Sequence, residues 1–195
     1  MSWDLENDNV KTEFTKFPAG VSRIRIVDEE PHMRWTHWMN NIRHSVNCPG
    51  KGCPICEIRK FQKANKEDYT YPMSKRFSIQ VLNRETKKLE VCEQGVTFFQ
   101  DLKDVKNDIE KAGHSLLDVD IKVRRRGLTK DDTTYRLDPD EVYELTPDEI
   151  ELISDKLDLN QYFKPHTPEQ ITRVLNGEDW KDVMYEKKDE DIEIS

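Results

Sequence analysis

The hydrophobic positions change period several times along the chain, and each change marks an element. VSRIRIV (21–27) alternates, with Ile24 and Ile26 on one face and Arg23 and Arg25 on the other, which predicts a strand with one wet side. MRWTHWMNNIRHSVNC (33–48) predicts a hairpin turning at Asn40-Asn41, because Asn tolerates the dihedrals of a tight turn. EIRKFQKANKED is polar and suits a short helix. RFSIQVL (76–82) and KLEVCEQ (88–94) predict two strands joined by NRETKK. In GVTFFQDLKDVKNDIEKAG (95–113) the period becomes helical, with Phe98, Phe99, Leu102, Val105 and Ile109 on one stripe. Thr97 and Gln100 make a capping-box pattern there, and Gly113 suits the exit. LLDVDIKVRRRG (116–127) alternates again, with Leu117, Val119, Ile121 and Val123 inward. Thr146-Pro147-Asp148-Glu149 and Thr167-Pro168-Glu169-Gln170 start two further helices, the second closed by Gly177. The first 15 residues show no period, and the last ten, EKKDEDIEIS, offer no packing face.

Five or so short strands with one helix among the later ones predict a mainly β protein. The five-stranded oligonucleotide-binding (OB) barrel fits that order best. Composition limits its size: 35% of the 195 residues are hydrophobic and 36% charged, so the core is modest. The net charge of −8 is unevenly distributed. Residues 138–195 hold 18 acidic against 6 basic side chains, whereas residues 1–137 hold 21 against 25. A mildly basic body is joined to an acidic C-terminal segment, an arrangement suited to meeting a polyanion. No apolar run approaches the roughly 18 residues that span a bilayer, and MSWDLENDNV lacks the layout of a signal peptide. The expectation is a soluble intracellular protein with no membrane partner.

Three of the four cysteines crowd into HSVNCPGKGCPIC (44–56). In a reducing compartment such clusters serve metal or redox chemistry rather than disulfides. Cys48, Cys53 and Cys56 supply three soft ligands, and tetrahedral zinc needs a fourth. His37, His44 and Cys92 are the alternatives. An extended chain would hold His44 some 13 Å from Cys48, at about 3.3 Å per residue, whereas His37 on the opposite hairpin arm faces the cluster without a sharp bend. His37 is therefore preferred. A thioredoxin-like pair would need a βαβ setting that is absent. With no position set aside for a bound water, the expected ion is one structural zinc.

No phosphate loop, nucleophile elbow or isolated carboxylate pair is present, so the chain is not expected to be an enzyme. Binding signals are stronger. Lys75, Arg76 and Phe77 open one strand, and Lys122, Arg124, Arg125 and Arg126 close another; Trp35 and Trp38 flank His37, and Tyr135 lies in polar surroundings. Cations interleaved with aromatic rings are what single-stranded nucleic acid requires, the former tracking phosphates and the latter stacking on bases.

Taken in order, FPAGVSRIRIV, the His37 hairpin, GCPICE, SKRFSIQVLN, KLEVCEQGVTFFQDL and DIKVRRRG followed by Tyr135 resemble the zinc-containing single-stranded DNA-binding (helix-destabilising) proteins of T-even-like phages. The resemblance runs over about residues 17–137, and GCPICE is its most specific piece. It implies an OB-fold core with an inserted zinc subdomain (about 33–66) whose ligands match His37, Cys48, Cys53 and Cys56. A basic-aromatic strand lining the DNA cleft falls on Lys75, Arg76 and Phe77. A later basic strand and aromatic fall on Lys122, Arg124, Arg125 and Tyr135. The implied role is coating single strands in phage DNA replication, recombination and repair, in the cytoplasm of an infected bacterium. The implied partners bind an acidic C-terminal tail. The domain layout on this reading is a flexible N-terminus (1–15), the core (16–137), a helical appendage (138–177) and the tail (178–195). Two departures stand out: the gap between the first two cysteines is shorter, and MSWDLENDNV offers no basic arm. The alternative is a zinc-stabilised transcription or polymerase accessory protein acting by protein contacts.

Overall fold

The structure, a computed structural model, describes residues 13–127, 129 and 132–185. The expectations for residues 1–12 and 186–195 lie outside the described residues. In chain order the elements are β1 (Gly20–Ile26), β2 (His32–Met39), β3 (His44–Asn47), α1 (Pro54–Ala64), β4 (Met73–Asn83), β5 (Lys88–Gln94), α2 (Val96–Lys111), β6 (Val119–Arg126), β7 (Thr134–Val142), α3 (Pro147–Ser154), α4 (Leu159–Tyr162), α5 (Pro168–Leu175) and α6 (Trp180–Tyr185). The protein is mainly β, with short helices. Its antiparallel strands follow a hydrogen-bonded path β3–β2–β4–β1–β6–β7, with β5 also on β4, and the path does not close. The chain divides into two compact units, Met1–Met33 with Arg76–Leu159 and Arg34–Lys75 with Asn160–Ser195.

In the first unit, period-2 alternation delivers one apolar sheet face. Ile24 and Ile26 of β1, Ile79 and Val81 of β4, Cys92 of β5, Ile121 and Val123 of β6 and Leu137 of β7 are buried there. They pack with the α2 stripe read from the sequence, Phe98, Phe99, Leu102, Val105 and Ile109. Two local expectations differ. Helix α2 starts from Gly95 without a side-chain cap, rather than from a Thr97–Gln100 box. β7 carries Pro139 and buries only Leu137, which hid its period; a strand at the end of the path tolerates the missing N–H.

Arg25 overturns the reading of β1 as wet on one side. Only 1% of its side chain is exposed. Its Nε donates to Asp120 Oδ1 at 2.7 Å, and its terminal amines donate to the carbonyls of Leu117 and Tyr143 at 3.0 and 2.9 Å. Asp120 also accepts from Arg84 Nε and Nη2 at 2.9 Å, and Arg84 reaches Glu149 of α3. A guanidinium can be buried when acceptors match its fork of donors, as they do here. The network ties β1, β6, the loop after β4 and α3 together.

In the second unit, β2 and β3 form the expected hairpin, with His37 opposite Val46 and Met39 opposite His44. Its core joins Met39, Val46, Cys53 and Ile55 to Ile171 and Val174 of α5 and Val183 of α6. Both helix starts read from the sequence form, and each closes as a capping box, Thr146/Glu149 in the first unit and Thr167/Gln170 in the second. The C-terminal helices α5 and α6 thus belong to the same core as the cysteine loop.

Removing the shared acceptor should leave two guanidinium groups short of a partner. Asp120→Ala is expected to lower unfolding free energy by about 3–5 kcal/mol in a urea titration; a change within about 0.5 kcal/mol would show that the network contributes nothing.

Candidate metal centre and nucleic-acid interface

The hairpin and the following loop are folded to bring four donors to one point. Cys48 N donates to Trp35 O at 2.8 Å, which fastens the loop to β2. Gly50 and Gly52 both sit at φ +75°, a region that a side chain would strain, and let the chain double back to Cys53. Cys53 is then the N-cap of α1, with Pro54 opening the helix and Cys56 in its first turn. His37 Nε2 lies 3.5 Å from Cys53 Sγ and 3.4 Å from Cys56 Sγ, and Cys48 Sγ lies 3.6 Å from Cys56 Sγ. All four donor atoms lie within 4.8 Å of one another. An ion with bonds of about 2.3 Å to sulfur and 2.0–2.1 Å to nitrogen would set tetrahedral edges of about 3.8 and 3.6 Å, so the quartet has a suitable size for one ion.

The electrostatics fit the same use. Burial first, and then the nearby Arg59 charge, lower the His37 pKa to about 4, so its imidazole is neutral with a lone pair available at physiological pH. Burial also raises the Cys53 thiol, opposed by the Cys56 amide beside it, and pushes Cys56 up to about 12. Three thiols, those of Cys48 and Cys56 only partly buried, and a neutral imidazole form a soft donor set whose thiols an ion would convert to thiolates. Cys92 is buried in the first unit, where burial and then Glu90 and Glu93 push its thiol up; it is no part of the quartet. His44 also lies outside it. Its ring is 5.2 Å from that of Trp180, whose other neighbour is His166 at 5.0 Å. His166 Nδ1 accepts from Asn47 N at 2.8 Å, which fastens the approach to α5 onto β3.

The nucleic-acid nominees fall into separate settings. In the second unit Trp35 is 43% exposed, with the Lys75 ammonium 5.8 Å from its ring centroid. Trp38, also exposed, donates through Nε1 to Asn40. In the first unit Arg76 is 3.9 Å from Glu93 and is partly exposed, whereas Phe77 is half-buried against Phe99. The run Lys122–Arg126 does not present one surface. Arg125 faces the core side opposite Tyr135, donating to Phe17 O at 2.9 Å, and Tyr135 packs edge-on to Phe17 and Phe98. Lys122, Arg124 and Arg126 alternate onto the other face. There Lys122 pairs with Asp140 at 2.6 Å and Arg124 with Asp138 at 3.0 Å. Sequence reasoning missed two cations of that face, Arg23 and Arg136, which pair with Asp140 and Asp138 at 3.0 Å. The alternation of VSRIRIV already pointed Arg23 outward; Arg136 lay in a strand whose period was not legible.

No family model matches the chain. A curated relative, a probable ssDNA-binding protein of Escherichia phage T5, is 28% identical over 136 residues, covering 61% of this chain and 52% of that protein. The chain thus spans about half the length of the relative it matches. Among the described residues, no helix is long and apolar enough to cross a membrane.

If the quartet holds the ion, metal analysis of His37→Ala should show it largely lost, whereas His44→Ala should retain it. Equal retention in both would remove His37 from the site. Because metal must displace protons from the thiols, and burial raises those of Cys53 and Cys56, apparent affinity should rise with pH from 6 to 8 in a chelator competition. His37, neutral above about pH 4, should add no slope in that window.

Proposed function

We propose that the protein is a sequence-tolerant single-stranded DNA-binding protein of a phage, stiffened by one structural zinc ion. The observation that carries the proposal is the similarity to the probable ssDNA-binding protein of phage T5. The quartet of one histidine and three cysteines, and the exposed pairing of cations with aromatic side chains, support it independently. Zinc is the natural occupant because a compact site of three sulfurs and one imidazole, with no further donor among the described residues, suits a closed tetrahedral centre.

The order β1, β4, β5, α2, β6, β7 is that of five strands with one inserted helix. β1 pairs with both β4 and β6, β4 pairs with β5, and β6 pairs with β7. We read this unit as an OB fold, with the metal unit inserted between its first two strands. On this reading Trp35, Lys75, Arg76, Phe77, Lys122, Arg124, Arg125, Arg126 and Tyr135 supply the DNA contacts. Their work is stoichiometric: cations release counterions from the phosphates, rings stack on bases, and no bond is made or broken. Coating of this kind serves replication, recombination and repair in the host cytoplasm, with the acidic C-terminal residues as a docking point for phage proteins.

A fluorescent oligo-dT titration tests the proposal. Binding is expected at low salt, with log affinity falling linearly against log salt; no binding, or a flat response, would refute it. Because Val183 of α6 is in the core of the second unit, a tail deletion should begin after Tyr185. Removing residues 186–195 takes away five carboxylates and two lysines, and should raise affinity about two- to tenfold at low salt if the tail competes with DNA. Unchanged affinity would confine the tail to protein contacts.

A further inference from the structure

The face of β1, β6 and β7 turned away from α2 carries charges in register. β6 places Lys122, Arg124 and Arg126 on it at every second residue; Arg23 of β1 stands opposite Lys122, and Arg136 of β7 stands opposite Arg124. Side chains two residues apart on a strand are about 6.6 Å apart, close to the phosphate repeat of an extended single strand. Set among these five cations are two carboxylates, and each bridges a pair. Asp138 accepts from Arg124 Nε and Arg136 Nε, both at 3.0 Å, and Asp140 lies 3.0 Å from Arg23 Nε and 2.6 Å from Lys122 Nζ.

We infer that this face is the track for the phosphate backbone, and that Asp138 and Asp140 are built-in stand-ins for phosphate that limit its affinity. The inference rests on the single-stranded DNA reading. A carboxylate spanning two cations makes the contact that a backbone phosphate would make, with the same single negative charge. The ladder is open to a ligand: the side chains of Arg23, Arg124 and Arg136 are 55%, 48% and 75% exposed. The hydrogen bonds of Arg124 and Arg136 to Asp138 run through Nε, and the terminal amines of both make none among the described residues. Partly exposed ion pairs such as those of Asp138 add little to stability, so Arg124 and Arg136 can exchange partners without loosening the fold, whereas the Asp140 carboxylate is enclosed, with 7% of its side chain exposed. The contrast with the buried Arg25 of β1 and the half-buried Arg84 after β4, both bound to Asp120, separates the structural cations from the available ones.

Both carboxyls stay ionised at neutral pH. At Asp140 the Lys122 hydrogen bond outweighs desolvation, with Arg23 adding to it. At Asp138 desolvation is outweighed by Arg124 and Arg136. Each therefore cancels one positive charge whenever the strand is free. Glu85, which accepts from the Arg23 backbone amide at 2.8 Å, adds a third carboxylate at the β1 end, and the five cations still exceed the three, which leaves a positive track. The strand positions of this ladder carry no aromatic ring, so the face would hold backbone rather than bases, with the exposed Tyr143 just past β7 lining the hollow beside Arg23.

The test is the oligo-dT titration over a range of salt, run on folded single variants matched by melting curve. Arg23→Gln and Arg136→Gln should each weaken low-salt binding about three- to tenfold and make the log–log salt slope shallower by about 0.7, one phosphate contact each. Asp138→Asn and Asp140→Asn should strengthen binding about two- to fivefold at the same salt, with an unchanged or steeper slope. Lys111→Gln, an exposed charge at the far end of α2, controls for net charge and should leave the slope alone. If the wild-type protein binds with normal salt dependence while all four variants match it, this inference falls and the DNA-binding reading stands. If the wild-type protein does not bind at all, that reading fails and this one with it. Weaker binding by the asparagine variants would also overturn the stand-in role.

Discussion

His37 has no exposed surface, its Nδ1 is buried without a hydrogen-bond partner, and its Nε2 faces the sulfurs of Cys53 and Cys56. An uncompensated buried polar group is costly, and three thiols are weak partners for an imidazole. A cation among the four donors would reverse that balance by holding Nε2 and turning the thiols into charged ligands. The rest of the second unit is arranged around this point. β2 contributes His37, the two-glycine loop contributes Cys48, and the first turn of α1 contributes Cys53 and Cys56. Helices α5 and α6 close over the back of Cys53 and Ile55. The cluster is thus a brace between a hairpin and a set of short helices, none of which has enough apolar surface to be stable alone.

The first unit depends on a different constraint, the separation of its cations by burial. Arg25 and Arg84 are drawn into Asp120, where the guanidinium fork is matched donor for acceptor and the groups serve the fold. Arg125 is turned to the core side and occupied by the Phe17 carbonyl. Arg23, Lys122, Arg124 and Arg136 remain on the opposite face with the β7 aspartates. A basic run such as VRRR is therefore not a single patch. The pleat deals its members alternately to core and solvent, and the neighbouring strands decide which are consumed.

Most of the fold was legible because its periods are clean. The α2 stripe, the alternation of β6, the β2–β3 hairpin and both Thr-Pro helix starts follow directly from spacing. The grouping of His37 with Cys48, Cys53 and Cys56 was legible because Cys-Pro-Ile-Cys and a hairpin histidine have few other uses. What spacing could not supply was partnership across the chain. Arg25 reads as solvent-facing until Asp120, 95 residues away, is placed against it. β7 hides behind Pro139 and its polar neighbours. Val183 and Trp180 look like part of an acidic tail until Met39, Val46 and His44 appear beneath them. Each miss involves a long-range contact that changes the meaning of a residue whose local pattern is ambiguous.

Binding single strands in preference to duplex is the central claim, and helix destabilisation reads it directly. The measurement is the melting temperature of an AT-rich duplex in low salt as zinc-loaded protein is added. Mass action on the separated strands predicts a progressive fall with protein concentration, reversed by added salt. A melting temperature that stays constant or rises would contradict the account, since the protein would then ignore DNA or favour the duplex.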